Sequence, residues 1–325
     1  MARTMFGKRV DRIIRRRPWL MQANLRVEAA IMRTVWTVFG LMPPDLASRI
    51  GGGVLAAVGP HLRKSRHVRA NLRTALPEAA DEEIERHVRE VWETLGRVIA
   101  EYPHVRAIAE GRYGPRIEEV FQPGAEKEIL AAGPAIYVGG HFGNWEFSPI
   151  TTFQPDFPMA LIFSTQRNPY VDAMLLRWRS SLGPEYIPKE SSLSVMSRAI
   201  AKGRSIGLLM DQRVDAGESL PFFGHDALTS TVPIRLAVRQ NVPIIPVRVE
   251  RIKDATFRIT VHTPIPRDPA LTDPRDQARY LATEINKVYE RWIRERPGQW
   301  MCLKQRWLDR PRRSAAARPA RTVEA

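Results

Sequence analysis

The chain has 325 residues, 44% of them hydrophobic and 26% charged, enough to bury a substantial core and unlike a disordered or fibrous composition. Its net charge of +15 calls for an anionic partner, and a single cysteine, Cys302, excludes an internal disulfide framework and fits a reducing compartment. The seven histidines stand in no CxxC or HExxH pattern, so neither a metal nor any other cofactor is called for.

Much of the charge sits on two arms. Residues 1–17 carry Arg3, Lys8, Arg9, Arg12, Arg15, Arg16 and Arg17 against Asp11, and residues 310–325 carry five arginines against Glu324. An apolar region at 19–42 follows the first arm, interrupted by Arg26, Glu28 and Arg33. The uncharged runs at 34–44 and 50–60 are too short to span a bilayer, which takes about 20 residues. No unbroken apolar core with a small-residue cleavage site follows the arm, so a cleaved signal peptide is not expected. The reading is an amphipathic N-terminus lying on an anionic membrane, which attracts each nearby basic residue by roughly 1 kcal/mol. A buried helical hairpin is its rival.

Ile84, Val88, Val91, Leu95, Val98 and Tyr102 recur every three or four residues and predict a helix over 78–102. A glycine- and proline-marked connection is expected at 111–123. Short apolar runs at 135–139, 159–163, 185–187, 205–210, 242–249 and 256–261 then predict strands. Helices are expected at 169–182, opened by Asn168-Pro169, and at 194–202, 232–240 and 275–294. This alternation over 124–261 predicts an α/β fold, a mixed sheet covered by helices. The tail at 310–325, rich in Arg, Ala and Pro, is expected to be disordered.

His141 follows the predicted strand at 135–139, and Glu146 lies five residues on, expected in the first turn of a helix. That layout would return the carboxylate to the imidazole, fix its tautomer and leave the other ring nitrogen free to take a proton. Such a pair can activate a substrate hydroxyl for attack on a thioester, a contribution of typically about 10²–10⁴ in rate. The HxxxxE spacing alone is common, and a strand-end histidine that only hydrogen-bonds a turn is the alternative. Asp211 ends another predicted strand, where open α/β sheets bind ligands. It could position a basic residue or the substrate, with Arg213 beside it for phosphate; a simple turn is the alternative. Gly203-Arg204-Ser205-Ile206-Gly207 spells the nucleophile elbow, but a helix precedes it and a strand follows, the reverse of what that motif needs. Gly139, Gly140 and Gly143 do not space as a dinucleotide fingerprint.

The stretch Tyr137-Val138-Gly139-Gly140-His141-Phe142-Gly143-Asn144-Trp145-Glu146 resembles the active-site block of the late acyltransferases of lipid A biosynthesis, the lauroyl and myristoyl transferase family. His67-Val68-Arg69-Ala70-Asn71-Leu72-Arg73-Thr74-Ala75-Leu76-Pro77 resembles its basic stretch, and Met210-Asp211-Gln212-Arg213 its Asp-Gln block. Pro221-Phe222-Phe223-Gly224, the turn and helix from Thr229 to Ala237, and Arg296-Pro297-Gly298-Gln299-Trp300 resemble its later blocks, all in family order. Cys302 is a departure, standing where many members carry tryptophan.

The resemblance implies an acyltransferase that moves a fatty acyl chain from acyl carrier protein, or from coenzyme A, to a hydroxyl of a phosphorylated glycolipid. A Kdo-bearing lipid A precursor is the first acceptor; a lysophospholipid or a phosphoinositol mannoside is the alternative. It implies His141 as general base and Glu146 as its orienting partner, with Asp211, Gln212, Arg213, Arg167, Arg177 and Arg179 binding substrate. Guanidinium groups pair phosphate oxygens bidentately. Arg177 and Arg179 are two residues apart on a helix, so only one of them is expected to face the site. The implied position is peripheral or monotopic on the cytoplasmic face of the bacterial inner membrane. The division that follows is 1–110 as basic arm and membrane-associating helices, 111–309 as the α/β acyltransferase domain, and 310–325 as the tail. A basic nucleic-acid-binding protein is the competing class; it predicts salt-sensitive binding but gives His141 and Glu146 no role, and no motif of that class is present, so no nucleic acid is expected.

Overall fold

The computed structural model describes residues 18–148, 158–180, 183–189 and 192–308. Both basic arms, including the tail expected to be disordered, lie outside the described residues. Helix α1 (Pro18–Gly40) buries only Leu25 and Ala29. Val27, Ile31 and Val38 stay exposed along it, with Trp19 at its start and Leu41 just beyond its end. Helix α2 (Pro44–Val58) crosses α4 (Asp81–Glu101) where Gly51 meets Gly96. A Cβ on Gly96 would stand 2.1 Å from the Gly51 carbonyl oxygen, so the backbones come this close only because both residues lack one. Between them, α3 (Ser65–Ala75) carries the basic stretch. Helix α4 places Asp81, Glu82 and Glu83 in its first turn, against the positive end of the helix dipole, and buries the apolar stripe read from the sequence. A 3₁₀ turn at Tyr102–His104 leads into the short α5 (Val105–Ala109).

The sheet is mixed, as the pattern predicts, and has seven strands among the described residues. Its strands are β1 (Ile117–Phe121), β2 (Ile136–Gly139), β3 (Met159–Phe163), β4 (Glu185–Pro188), β5 (Ser205–Leu209), β8 (Ile244–Lys253) and β9 (Thr256–Val261). They lie in the order β1-β9-β8-β2-β5-β3-β4. All neighbours are parallel except β8 and β9. Helices α6 (Ala125–Ala132), α7 (Pro169–Ser180), α8 (Ser192–Ala201), α9 (Val232–Gln240) and α10 (Pro274–Glu295) are the remaining α-helices of the described residues. Strand β1 falls in the segment read as a connection. It is an edge strand whose Glu118 and Glu119 face solvent, so its sequence lacks the apolar run of a central strand. A separate hairpin, β6 (Glu218–Phe222) with β7 (His225–Thr229), was also not expected. Its loop is Phe223-Gly224, both at positive φ, the two-residue geometry that suits a twisted hairpin.

One core cluster runs from Val68 and Leu72 of α3 and Val88 of α4, through β2 and β5, to Tyr289 of α10 and Trp300. The N-terminal helices and the sheet therefore share buried surface. Asn71 braces the C-terminal segment against α3: its Nδ2 donates to the carbonyls of Cys302 (2.8 Å) and Lys304 (2.9 Å), and its Oδ1 accepts from the Arg306 backbone at 2.9 Å.

Just after β9, His262 packs 5.2 Å from the Trp292 ring. Burial, then the charges of Arg248 and Arg291, push its pKa from 6.5 down to about 4, with Glu295 opposing. The folded protein keeps this imidazole neutral while the unfolded chain protonates it. Its contribution is thus full above pH 6.5 and is lost as pH falls from there to about 4, by roughly 3 kcal/mol. His262→Gln should flatten that decline in denaturant melts run across this range; an unchanged slope would show that other groups carry it.

Candidate active site

Strands β2 and β5 are parallel neighbours, with Gly139 opposite Leu209. Two residues beyond each lie His141 and Asp211, so the sheet itself delivers them to one another at its carboxyl edge. His141 Nδ1 stands 2.7 Å from Asp211 Oδ1. Asp211 is wholly buried, and its Oδ2 accepts the Trp300 indole N–H at 3.0 Å. Burial raises the carboxyl pKa, but the His141 charge and hydrogen bond, with the Trp300 donor, outweigh it and hold Asp211 below the usual carboxylate range. With Nδ1 donating to this carboxylate, the tautomer is set and Nε2 is the acceptor. Nε2 has no hydrogen-bond partner among the described residues.

The loop that holds His141 is tightly determined. A Cβ on Gly140 would meet the Phe142 ring at 2.5 Å, and Gly143, at φ +53°, would bring one within 2.8 Å of the Val249 carbonyl oxygen. The C-terminal motif clamps the loop from outside. Met301 N–H donates to the His141 carbonyl at 2.8 Å, and Gly143 N–H to the Gln299 carbonyl at 3.2 Å. Trp145 packs on the imidazole with ring centroids 5.2 Å apart.

The carboxylate on His141 is therefore Asp211 and not Glu146, which corrects the expected pairing. Glu146 lies in a 3₁₀ turn (Trp145–Phe147) rather than the first turn of an α-helix. Its side chain reaches Arg179 of α7, with Nη2 2.5 Å from Oε1 and Nε 3.1 Å from Oε2, and Oε1 also accepts the Tyr102 hydroxyl at 2.5 Å. Burial opposes the Arg179 charge, but Glu146 overrides it and the guanidinium pKa is raised. The Tyr102 phenol is likewise held far above its ordinary value by burial and by Glu146. Among the described residues no hydrogen bond joins Glu146 to His141. Asn144, between them, donates to Glu101 Oε2 at 2.9 Å, and Glu101 is paired in turn with Arg251, whose Nη2 stands 2.8 Å from the same oxygen.

His141, Glu146 and Arg179 open on a common cavity of about 450 Å³ whose other walls include Met159, Leu161, Phe163, Leu175, Leu209 and Val247. As the two-residue spacing predicts, Arg179 faces this cavity and Arg177 does not; Arg177 lines a separate cleft against α1. Arg167 is exposed, beside the cavity-lining Gln166. Gln212 and Arg213 do not line the cavity, and Arg213 pairs with Asp215 at 2.8 Å. The decoy Ser205 is buried, its hydroxyl accepting the Ala135 N–H at 3.1 Å. Cys302 is buried too, its thiol pushed up to about 12 by burial, so it is inert. Tyr102, Asn144 and Trp300 are the site residues that sequence reasoning did not single out. Trp300 and Asn144 stood inside named blocks, but nothing local marked which carboxylates they would meet.

Residues 21–309 match the sequence model of a family described as bacterial lipid A biosynthesis acyltransferase. The chain belongs to this family. It is accordingly an enzyme that transfers acyl groups. It is 25% identical over 287 residues to the lipid A biosynthesis lauroyltransferase of Escherichia coli (strain K12), covering 85% of this chain and 90% of that one. The crystal structure of a 1-acyl-sn-glycerophosphate (LPA) acyltransferase from Thermotoga maritima is similar at 14% identity and a TM-score of 0.38, over 78% of this chain and 97% of that one.

Trp300→Phe keeps most of the buried ring and removes only the donor to Asp211. An ionised oxygen left buried without that donor should lower stability by about 1–3 kcal/mol in chemical denaturation at neutral pH. Full retention of stability would show that the Asp211 oxygen finds another donor.

Proposed function

We propose that the chain transfers a fatty acyl group from an acyl carrier protein thioester, or a coenzyme A thioester, to a hydroxyl of a Kdo-bearing lipid A precursor. The observation that supports this best is His141: its Nδ1 is tied to the buried Asp211, while Nε2 has no hydrogen-bond partner among the described residues and the residue opens on a largely apolar cavity. In this reading Nε2 takes the proton of the acceptor hydroxyl as its oxygen attacks the thioester carbonyl carbon. The tetrahedral oxyanion then collapses, the C–S bond breaks, and the imidazolium returns the proton to the departing thiolate, leaving an ester and a free thiol. Asp211 orients the imidazole and stabilises its cationic form. Glu146 holds Arg179 on the cavity wall, where the guanidinium can meet an anionic group of the substrate.

A peripheral position on the cytoplasmic face of the inner membrane belongs to the same proposal. No helix among the described residues is long and apolar enough to cross a membrane. The exposed apolar side chains of α1 and α2, with Leu41 84% exposed between them, suit an interfacial surface.

The test is transfer from acyl carrier protein to the Kdo-bearing precursor by the purified full chain. His141→Ala and Asp211→Asn should each lower kcat by about 10²–10⁴. Glu146→Gln should act differently: it strands the buried Arg179 charge and lowers stability by about 3–5 kcal/mol. Near-normal turnover by His141→Ala would sink the general-base assignment. Near-normal turnover by Asp211→Asn would return the orienting role to another group.

A further inference from the structure

Helices α1 and α7 enclose a second cleft of about 840 Å³, lined by residues of α7 that alternate with those facing the catalytic cavity. A row of packed aromatic rings separates the two spaces. Trp36 of α1 lies 5.1 Å from Tyr102, and Tyr102 lies 4.9 Å from Trp178 of α7. Arg26, Arg33 and Arg177 line the cleft, and all three are exposed. Arg26 Nε donates to the Tyr170 hydroxyl at 3.3 Å, and its guanidinium lies 5.9 Å from that ring.

Among the described residues none of these three arginines is ion-paired; other exposed helix arginines such as Arg66 and Arg89 are unpaired too, so what marks these three is their gathering around one cleft. Three guanidinium groups without counterions around one apolar-floored cleft repel one another, and a bound anion would relieve that repulsion. The floor, of Ala29, Trp36, Met174 and Trp178, is mainly apolar and suits the body of an amphiphile. Beside Arg26 and Arg33 on the same helix run the exposed Val27, Ile31 and Val38. A helix seated on a bilayer by those side chains would hold its arginines at the depth of the lipid phosphates.

We propose that this cleft binds the phosphate of a membrane lipid, with Arg26, Arg33 and Arg177 as its ligands and the lipid body against the aromatic and alanine floor. The phosphate can come from the acceptor itself or from a bilayer phospholipid. Phosphate binding does not require the acyl-transfer reading above; only the choice between those sources does.

The probe is dihexanoyl phosphatidic acid below its micelle concentration, titrated calorimetrically into the full chain, with dihexanoyl phosphatidylcholine as the zwitterionic control. The wild-type protein should bind the anionic lipid and not the control. Arg33→Gln with Arg177→Gln should weaken binding about tenfold or more, with no fall in melting temperature. Because the basic N-terminal arm is intact in both proteins, the difference reports the cleft alone. If phosphatidic acid also raises KM for the phosphorylated acceptor, the cleft holds the acceptor's phosphate; if it leaves KM unchanged, a bilayer lipid is the occupant. Equal binding by variant and wild type, no binding at all, or equal binding of the zwitterionic lipid would each overturn the proposal.

Discussion

An ionised carboxylate withdrawn from water costs several kcal/mol unless charges and donors gather round it, and Asp211 is withdrawn completely. Its compensation comes from parts of the chain far apart in sequence: His141 beyond β2 and Trp300 in the C-terminal segment. The wholly buried Arg306 adds its field. Burial outweighs the opposing pull of Asp211 and leaves that guanidinium at about 10, while Leu228 and Thr229 of β7 accept its hydrogen bonds. Strand ends, hairpin and terminal segment are thereby one electrostatic unit. Disturbing any of them leaves the same carboxylate exposed to its own desolvation.

The segment from His141 to Glu146 repeats this logic twice more. Asn144 donates to Glu101, a second wholly buried carboxylate neutralised by Arg251 of β8. Glu146, 5% exposed, is neutralised by Arg179 of α7 and capped by Tyr102. Six consecutive residues therefore touch or carry three separate buried carboxylates, each tied to a different part of the fold. That accounts for why the block needs these residue types without asking each of them to do chemistry.

How much of this was legible in the sequence follows from what is local. A strand ending at His141 and another ending at Asp211 show in short apolar runs, and the opposed directions of Arg177 and Arg179 follow from helix geometry alone. Strand order is not local. Nothing in the apolar runs says that β2 and β5 are neighbours, and once they are, the register that sets Gly139 against Leu209 carries His141 to Asp211. The Glu146 assignment failed for a different reason. It extrapolated an α-helical turn from His141, whereas Gly143 at φ +53° and the 3₁₀ turn after it send the Glu146 side chain toward α7. Strand β1 and the hairpin escaped notice because an edge strand and a two-stranded unit can be polar on much of their surface.

Two carboxylates open the question of which one serves the imidazole, and their partners answer it by charge. Glu146 is already matched by a full positive charge on Arg179, so the pair presents little net field to a proton arriving on His141. Asp211 is bonded by a neutral indole and by His141 itself; Arg306 reaches it through its field only and makes its hydrogen bonds elsewhere. In a buried setting, where interactions are screened less than in water, a carboxylate with no guanidinium or ammonium hydrogen-bonded to it acts on Nδ1 more strongly than one locked to an arginine. The same comparison explains why both acidic residues persist beside one cavity. One carboxylate has its charge available to the histidine, and the other has committed its charge to holding an arginine in the wall.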